Sequence, residues 1–266
     1  MQTLFVPSGD AVLHARADGS GDPAAPTLVL AHALGSSLHL WDAVLPHLPP
    51  GLRIIRYDLR GHGRSSAPPG PYGMGALVAE AEAVCDAFAV RDAVFVGISV
   101  GGLVGQGLAV KRLDLMRGLV LSNTAARIGH AKFWADRIAT IEREGLEAAA
   151  DGIVVRWFGR DFRAGPGPAL WRDALIRTPA AGYTGVCAAI SGTDFYTTTA
   201  TLRLPTLGIA GSEDATTPPD LVRETLGLIP GSQFALIRRA GHLPCVEAPA
   251  AYAAHLADFL RGIGHI

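Results

Sequence analysis

The sequence predicts an α/β fold in which helices flank a mostly parallel, eight-stranded sheet, with a helical lid inserted after the sixth strand. Six continuous apolar runs have the length of strands, and such runs are typical of strands that are buried on both faces. Helical patterns lie between most of them, and this alternation favours a sheet covered by helices on each side. The six runs cover residues 27–31, 53–57, 93–98, 118–121, 206–210 and 233–237.

A hairpin precedes these strands. Short apolar runs at residues 4–7 and 11–15 flank Ser8-Gly9-Asp10, and a polar glycine turn between two such runs is a hairpin signal. Its two strands bring the predicted sheet to eight. The helical patterns of the core cover residues 72–89, 100–110 and 218–228.

The alternation of strands and helices lapses between Thr124 and Leu204. Amphipathic segments rich in Trp, Arg and Ala occur at residues 133–143 and 151–157, and a Gly/Pro break follows at 165–168. We therefore predict a core domain of residues 1–124 and 205–266. Residues 125–204 are predicted to form the helical lid over the sheet.

Composition narrows the range of partners and compartments. The 266 residues carry a formal net charge of -1, which gives no electrostatic reason to expect nucleic acid or an anionic membrane. Cys85, Cys187 and Cys245 are too scattered for a disulfide framework or a zinc site. No signal-peptide pattern opens the chain, and no apolar stretch approaches the roughly 20 residues of a membrane span. We expect a cytoplasmic protein, and the sequence leaves open whether it forms a homodimer.

The sequence GISVGG at residues 97–102 predicts a nucleophile. It follows a strand-like run and precedes a helical one, which is the strand–turn–helix context of a nucleophile elbow. Such a turn is tight, so the residues two before and two after the serine must be small, as Gly97 and Gly101 are. Ser99 would then lie above the sheet edge at a helix N-terminus, where negative charge is favoured. The alternative is an ordinary serine in a glycine-rich turn.

A serine nucleophile needs a base and an acid to orient it. His242 follows the last strand-like run, and Asp214 follows the run before it, which gives the chain order Ser, Asp, His. Glu213 is the rival acid. Taken alone, Asp214 could be a helix cap and His242 a loop histidine, but their joint placement favours the catalytic interpretation.

The oxyanion of a tetrahedral intermediate requires backbone donors. We predict the N–H groups of Val100, directly after the nucleophile, and of Leu34 in the loop after the 27–31 strand, with Ala33 as the next choice. The spacing of His32, His39 and His62 matches no common metal site, so we expect no metal. Covalent catalysis by a serine needs no cofactor, and none is expected. His62 is expected to fix a loop by hydrogen bonds.

These motifs resemble those of the α/β-hydrolases over nearly the whole chain. YDLRGHGRS at residues 57–65, the elbow around Ser99 and the Gly241-His242 pair are general to that superfamily. Other segments resemble the 3-oxoadipate enol-lactonases in particular: the oxyanion loop from Leu34 to Trp41, LVLSNTA at 119–125, the lid segment 178–194 and GHLPCVE at 241–247. The chain departs from many of these lactonases in having His32-Ala33 where they have Asn-Ser.

The resemblance implies an α/β-hydrolase fold and a carboxylic ester hydrolase that opens 3-oxoadipate enol-lactone to 3-oxoadipate in the beta-ketoadipate pathway of aromatic degradation (EC 3.1.1.24). The acetate arm of that substrate is anionic, so a cation or N–H donors should face it. The lid offers Arg127, Arg137, Arg156 and Arg160 with Trp134 and Trp157 interleaved, and we expect Trp134 and Arg137 to line the substrate pocket. The alternative for each arginine is a place on a solvated helix face.

Other functions remain open on this fold. A carboxylesterase, a serine haloperoxidase-like enzyme or a C–C bond hydrolase would use the same three residues. A haloalkane dehalogenase is disfavoured, because that chemistry needs a carboxylate where Ser99 stands. A binding protein without turnover would have no need to keep Ser99, Asp214 and His242 together.

Overall fold

The sheet has eight strands, as the sequence predicts. The structure, a computed structural model, describes residues 2–266. The strands are β1 (Gln2–Ser8), β2 (Ala11–Gly19), β3 (Thr27–Ala31), β4 (Arg53–Tyr57), β5 (Ala93–Ile98), β6 (Met116–Ser122), β7 (Thr206–Gly211) and β8 (Gln233–Ile237).

The order of the strands is β1-β2-β4-β3-β5-β6-β7-β8. The β1–β2 hairpin and the β2–β4 pair are antiparallel, and all other neighbours are parallel. The central strands β3, β5 and β7 are buried along their whole length, and β6 is buried except at Arg117, which explains their apolar sequences. Parallel neighbours end at the same sheet edge, so the loops after β3, β5, β6, β7 and β8 form one contiguous surface.

Eleven helices are described within residues 2–266, and short 3-10 turns supplement them. Those of the core are α1 (Met74–Ala87), α2 (Val100–Lys111), α9 (Pro219–Gly227), α10 (Pro244–Glu247) and α11 (Pro249–Gly262). Six lie between β6 and β7: α3 (Ala131–Glu144), α4 (Leu146–Val154), α5 (Arg160–Arg163), α6 (Gly167–Ile176), α7 (Ala180–Ser191) and α8 (Tyr196–Thr199).

The helical insertion after the sixth strand is therefore present, although one of its predicted segments was misplaced. The sequence pattern suggested a helix over residues 151–157, whereas α4 begins at Leu146 and ends at Val154. Gly145, at φ 83°, breaks the chain between α3 and α4 and sets the earlier start. The division into a 1–124/205–266 core and a 125–204 lid remains a proposal about domain boundaries.

No helix within residues 2–266 combines the length and the apolar character needed to cross a bilayer. The hydrophobic core extends from the sheet into the insertion. One buried apolar cluster includes side chains of both parts. Leu103 and Leu256 come from helices of the core, and Val186 and Ile190 come from the insertion. The insertion is thus packed onto the sheet edge, where it covers the loops that follow the strands.

Candidate active site

Ser99 occupies a strained turn between β5 and α2. Its backbone lies at φ 58° and ψ -121°, a conformation that L-residues rarely adopt and that costs about 1–3 kcal/mol. The Ser99 N–H donates to the Ser122 carbonyl at 3.0 Å, and the Thr124 hydroxyl donates to the Ser99 carbonyl at 2.7 Å. The backbone N–H and carbonyl of Ser99 are therefore held by the last residue of β6 and by Thr124, which follows that strand.

The glycines on either side of Ser99 are required by close packing. A Cβ on Gly97 would lie 2.1 Å from the Gly101 carbonyl oxygen, and one on Gly101 would lie 2.4 Å from the Ala31 carbonyl oxygen. Neither position can accept a side chain without backbone movement. The small residues predicted for the elbow are thus explained by the structure.

Asp214 follows β7 and points at His242, which follows β8. The Asp214 Oδ2 atom accepts a 2.8 Å hydrogen bond from Nδ1 of His242, and both side chains are almost fully buried. The other oxygen, Oδ1, accepts from the N–H groups of Thr216 and Thr217 at 2.7 and 3.1 Å. The carboxylate therefore stabilises its own loop and also fixes the orientation of the imidazole.

Two further residues that the sequence analysis missed bind the same carboxylate. Asn123, after β6, donates from Nδ2 to Asp214 Oδ2 at 2.8 Å, and the Thr217 hydroxyl donates to that oxygen at 2.8 Å. Burial alone would raise the pKa of Asp214, but the charge of His242 and these hydrogen bonds lower it below its ordinary value. The acid is therefore held ionised. The αL conformation of Asn123, at φ 44°, was not visible in the sequence.

Glu213, the rival acid, faces away from His242. Its carboxylate accepts a 2.7 Å hydrogen bond from the Arg160 N–H at the start of α5. The Asp214 carboxylate thus binds the imidazole of His242, whereas the Glu213 carboxylate binds the backbone of the lid. The alternative of Asp214 as a helix cap also fails, because α9 starts at Pro219 without a side-chain cap.

Ser99 and His242 line one cavity at the sheet edge. Within residues 2–266 their side chains share this space without a direct hydrogen bond, whereas the His242–Asp214 bond is formed. Bonds between a nucleophile and its base are often long in unliganded sites and shorten when substrate binds. The structure thus brings together the three residues that the sequence singled out.

Of the predicted oxyanion donors, Leu34 and its alternative Ala33 lie at this cavity as well. Ala33 and Leu34 line it, and Val100 begins α2, so its N–H belongs to the unpaired first turn of that helix. The next amide along the loop is occupied, because the Gly35 N–H donates to Nε2 of His62 at 3.0 Å. Gly35 is therefore not a free donor, and Leu34, with Ala33 as the alternative, remains the predicted donor of this loop.

His62 and His32 are the side chains that hold the oxyanion loop. The His32 Nε2 atom accepts from the Leu59 N–H at 2.9 Å, as His62 Nε2 does from Gly35, so each imidazole is neutral with its proton on Nδ1. Burial lowers the pKa of both, that of His62 to about 3. The prediction that His62 fixes a loop is confirmed, and His32 has a similar role.

A lid segment supports the backbone of the candidate base. The Trp157 carbonyl accepts hydrogen bonds from the N–H groups of His242 and Leu243, at 2.8 and 3.1 Å. The Glu247 carboxylate bridges the same two segments, since it accepts from Gly241 and Gly159 at 2.7 Å each. We call residues 157–160 the clamp segment. Sequence reasoning missed it, because backbone donors and acceptors leave no signature in side-chain pattern.

The remaining walls of the cavity come from the insertion. Trp134 and Arg137 line it, as expected, and so do Arg156 and Trp157. The indole N–H of Trp134 is used internally, donating to the Ile128 carbonyl at 2.7 Å, so this side chain offers the cavity an apolar face. Arg137 donates to the Tyr183 hydroxyl at 3.2 Å.

Arg137 and Arg156 are the cationic side chains of this cavity, and its lining includes no Asp or Glu. Neither arginine forms an ion pair with a carboxylate among residues 2–266. The other two candidate arginines lie elsewhere: Arg127 pairs with Asp194, and the exposed Arg160 approaches Glu213. The cavity wall therefore presents two guanidinium groups without a carboxylate partner, which favours an anionic ligand.

The fold is that of an alpha/beta hydrolase: the profile of the alpha/beta hydrolase family matches residues 28–255, and the chain belongs to that family. It is a hydrolase that is similar to enol-lactonases. It is 32% identical over 237 residues to 3-oxoadipate enol-lactonase 2 of Acinetobacter baylyi, with 85% of each chain covered.

Solved structures give the same result. The enol-lactonase from Burkholderia xenovorans LB400 superposes with a TM-score of 0.93 at 34% identity, covering 97% of this chain and all of that one. A hydrolase from Pseudomonas aeruginosa PA01 has a TM-score of 0.91 at 38% identity, with 97% and 98% of the two chains covered. The resemblance inferred from motifs is thereby confirmed.

Proposed function

We propose that the protein hydrolyses 3-oxoadipate enol-lactone to 3-oxoadipate through an acyl-enzyme on Ser99. The observation that carries this proposal is that two arginines without carboxylate partners line the same cavity as Ser99 and His242. A neutral ester would leave that positive charge unmatched, whereas a lactone with an acetate arm supplies one carboxylate. Similarity to enol-lactonases of Acinetobacter baylyi and Burkholderia xenovorans supports the same substrate.

In the first half of the reaction, Ser99 Oγ attacks the ring carbonyl while Nε2 of His242 takes the hydroxyl proton. Nδ1 of His242 is already bound to the ionised Asp214, which favours the imidazolium that forms. The N–H groups of Leu34 and Val100 stabilise the oxyanion, where each donor contributes about 3–4 kcal/mol. The bond to the ring oxygen then breaks, the enolate accepts the proton from His242, and the enol becomes a ketone.

In the second half, water attacks the acyl-enzyme while His242 takes its proton. The new tetrahedral intermediate uses the same two backbone donors, and its collapse returns the proton to Ser99 and releases 3-oxoadipate. These steps need only the protein's own groups and water. The three cysteines are free and buried, which suits the reducing cytoplasm where we place the reaction.

The proposal is tested by following the loss of enol-lactone absorbance, with a neutral p-nitrophenyl ester as the comparison substrate. We expect kcat/KM to be much higher for the lactone. Ser99→Ala should lower kcat by several orders of magnitude in a protein that remains folded by circular dichroism. A carboxylesterase would instead turn over the ester and leave the lactone untouched, and tight lactone binding without turnover of either compound would indicate a binding protein.

A further inference from the structure

The cavity at Ser99 is too small for the proposed substrate. Its volume is about 40 Å³. A single water needs roughly 10–15 Å³ on the same measure, and ligand sites usually enclose about 300–1,000 Å³. A five-membered lactone with an acetate arm cannot fit beside Ser99 until part of the wall moves.

A much larger groove lies on the other side of one wall. It runs between α3 and α4, has a volume of about 340 Å³ and opens to solvent. Phe133, Arg137 and Ile153 line both the groove and the inner cavity. Moving these three side chains would join the two spaces into one volume of ordinary size for a ligand site.

We propose that this groove is the outer part of the substrate site, and that lactones with an anionic arm reach Ser99 through it by displacing Phe133 and Arg137. The inference rests on the proposed function, because it takes the inner cavity as the place of reaction. It adds an access route and an outer subsite, which the candidate site itself does not define.

The contacts of Arg137 suit a side chain that moves. Its guanidinium lies over the Phe133 ring, 5.2 Å from the centroid, and donates one 3.2 Å hydrogen bond to the Tyr183 hydroxyl. Both contacts are weaker than a buried ion pair, whose loss would leave an uncompensated charge. A carboxylate arriving in the groove would replace them with a charge-assisted bond and draw Arg137 and Phe133 aside together.

Other grooves of the insertion do not offer this route. One lies beside Pro71 and Glu142, and another lies between Val154 and Arg172. Each has a volume comparable to the α3–α4 groove, but neither shares a lining residue with the Ser99 cavity. The shared wall therefore distinguishes the α3–α4 groove.

Gly152 on α4 provides a clean test, because it lines the groove and a Cβ there would meet no atom within 4 Å. Gly152→Trp should fill the groove while leaving the helix and the Ser99 cavity intact. Gly227→Trp is the matched control. Gly227 also lies on a helix, α9, and a Cβ there would also meet no atom within 4 Å, but this residue lines neither the groove nor the cavity. Gly152→Leu and Gly152→Ala complete a series of decreasing size.

Two rates are measured for each variant: kcat/KM for the enol-lactone, and the second-order rate at which phenylmethanesulfonyl fluoride labels Ser99, with the labelled site located by mass spectrometry. We expect both rates to fall at least tenfold in Gly152→Trp, less in Gly152→Leu and little in Gly152→Ala. Gly227→Trp should match the parent. Circular dichroism and the midpoint of thermal unfolding verify that each variant is folded.

The outcomes distinguish a failure of the access route from a failure of the proposed function. Rates in Gly152→Trp and Gly152→Leu within twofold of Gly227→Trp would overturn the access route while leaving the proposed function in place. A parent protein that neither cleaves the lactone nor is labelled at Ser99 would overturn the proposed function, and the access route with it.

Discussion

Asn123 donates a 2.8 Å hydrogen bond from its side-chain amide to Oδ2 of Asp214, the oxygen that also binds His242. The two residues are 91 positions apart in the chain and meet because β6 and β7 are parallel neighbours. The same amide lies 3.2 Å from the Gly241 carbonyl, so it also ties the acid to the loop of the base. Asn123 is a positioning residue for the proposed reaction.

Asn123→Gly should lower kcat for the lactone by about tenfold with little change in KM, because a hydrogen bond to a charged group contributes about 1.5–3 kcal/mol. Glycine accepts the φ of 44° without strain, so the substitution removes the amide alone. Asn123→Ala is the companion variant, and it should lose the same activity plus about 1 kcal/mol of stability. Steady-state kinetics and urea unfolding measure both; unchanged kcat in the glycine variant would contradict the assigned role.

Asp214→Asn should lower kcat about 10³- to 10⁴-fold while the protein stays folded, because an amide cannot stabilise the imidazolium of His242. The adjacent Glu213→Gln is the control, since that carboxylate contacts Arg160 instead of the imidazole. We expect Glu213→Gln to retain most of the parent's kcat. Equal losses in the two variants would mean that the carboxylates act through the loop and not through His242.

His62→Gln should make the protein less sensitive to acid. Burial and the nearby His32 lower the pKa of His62 from 6.5 to about 3, so the unfolded chain binds a proton that the folded chain excludes. The stabilisation is full above about pH 6.5 and is lost as the pH falls toward about 3. Glutamine offers Gly35 an acceptor that does not titrate.

The free energy of unfolding in urea, measured between about pH 4 and pH 7, tests this expectation. The parent should lose stability steeply over that range, and His62→Gln should lose less. His32 remains in the variant, so only part of the slope disappears. The exposed His47 supplies the control His47→Gln, which should keep the parent's slope; an identical slope in His62→Gln would refute the prediction.

Arg137→Gln should raise KM for the anionic lactone roughly 10- to 100-fold, the range that one charge-assisted hydrogen bond supplies. Turnover of a neutral p-nitrophenyl ester should not fall, because that substrate gives the guanidinium no carboxylate to bind and the shorter glutamine does not narrow the wall. Arg127→Gln is the control, since Arg127 pairs with Asp194 and does not line the cavity. A parallel loss on both substrates would indicate that Arg137 only shapes the wall.

The central strands were predictable because a strand that is buried on both faces has a mostly apolar sequence. The runs at β3, β4, β5 and β8 have the boundaries found in the structure, and β6 and β7 differ by at most two residues at an end. The insertion was harder, since the start of α4 depends on the backbone conformation of Gly145. Helices that cover a sheet edge are set by packing, which single-sequence periodicity records weakly.

Ser99, Asp214 and His242 could be singled out because each follows a strand-like run in a fixed chain order. Asn123 also follows such a run, but an amide in a loop carries no specific signal. The role of Glu247 was hidden as well, because its partners are the backbone N–H groups of Gly159 and Gly241. The sequence therefore indicated the candidate nucleophile, acid and base. It did not indicate the residues that hold them in position.

The clamp segment connects the lid to the loop of His242, which limits how the lid can be exchanged by protein engineering. Trp157 forms part of the cavity wall with its side chain and holds the loop of His242 with its carbonyl. Replacing the lid with that of a relative would therefore change two things at once. It would change the cavity wall, and it would change the carbonyl that accepts hydrogen bonds from the backbone of His242 and Leu243. New substrate scope is better sought on α3 and the second half of α4, whose residues line the cavity and the groove and form no hydrogen bond with the loop of His242.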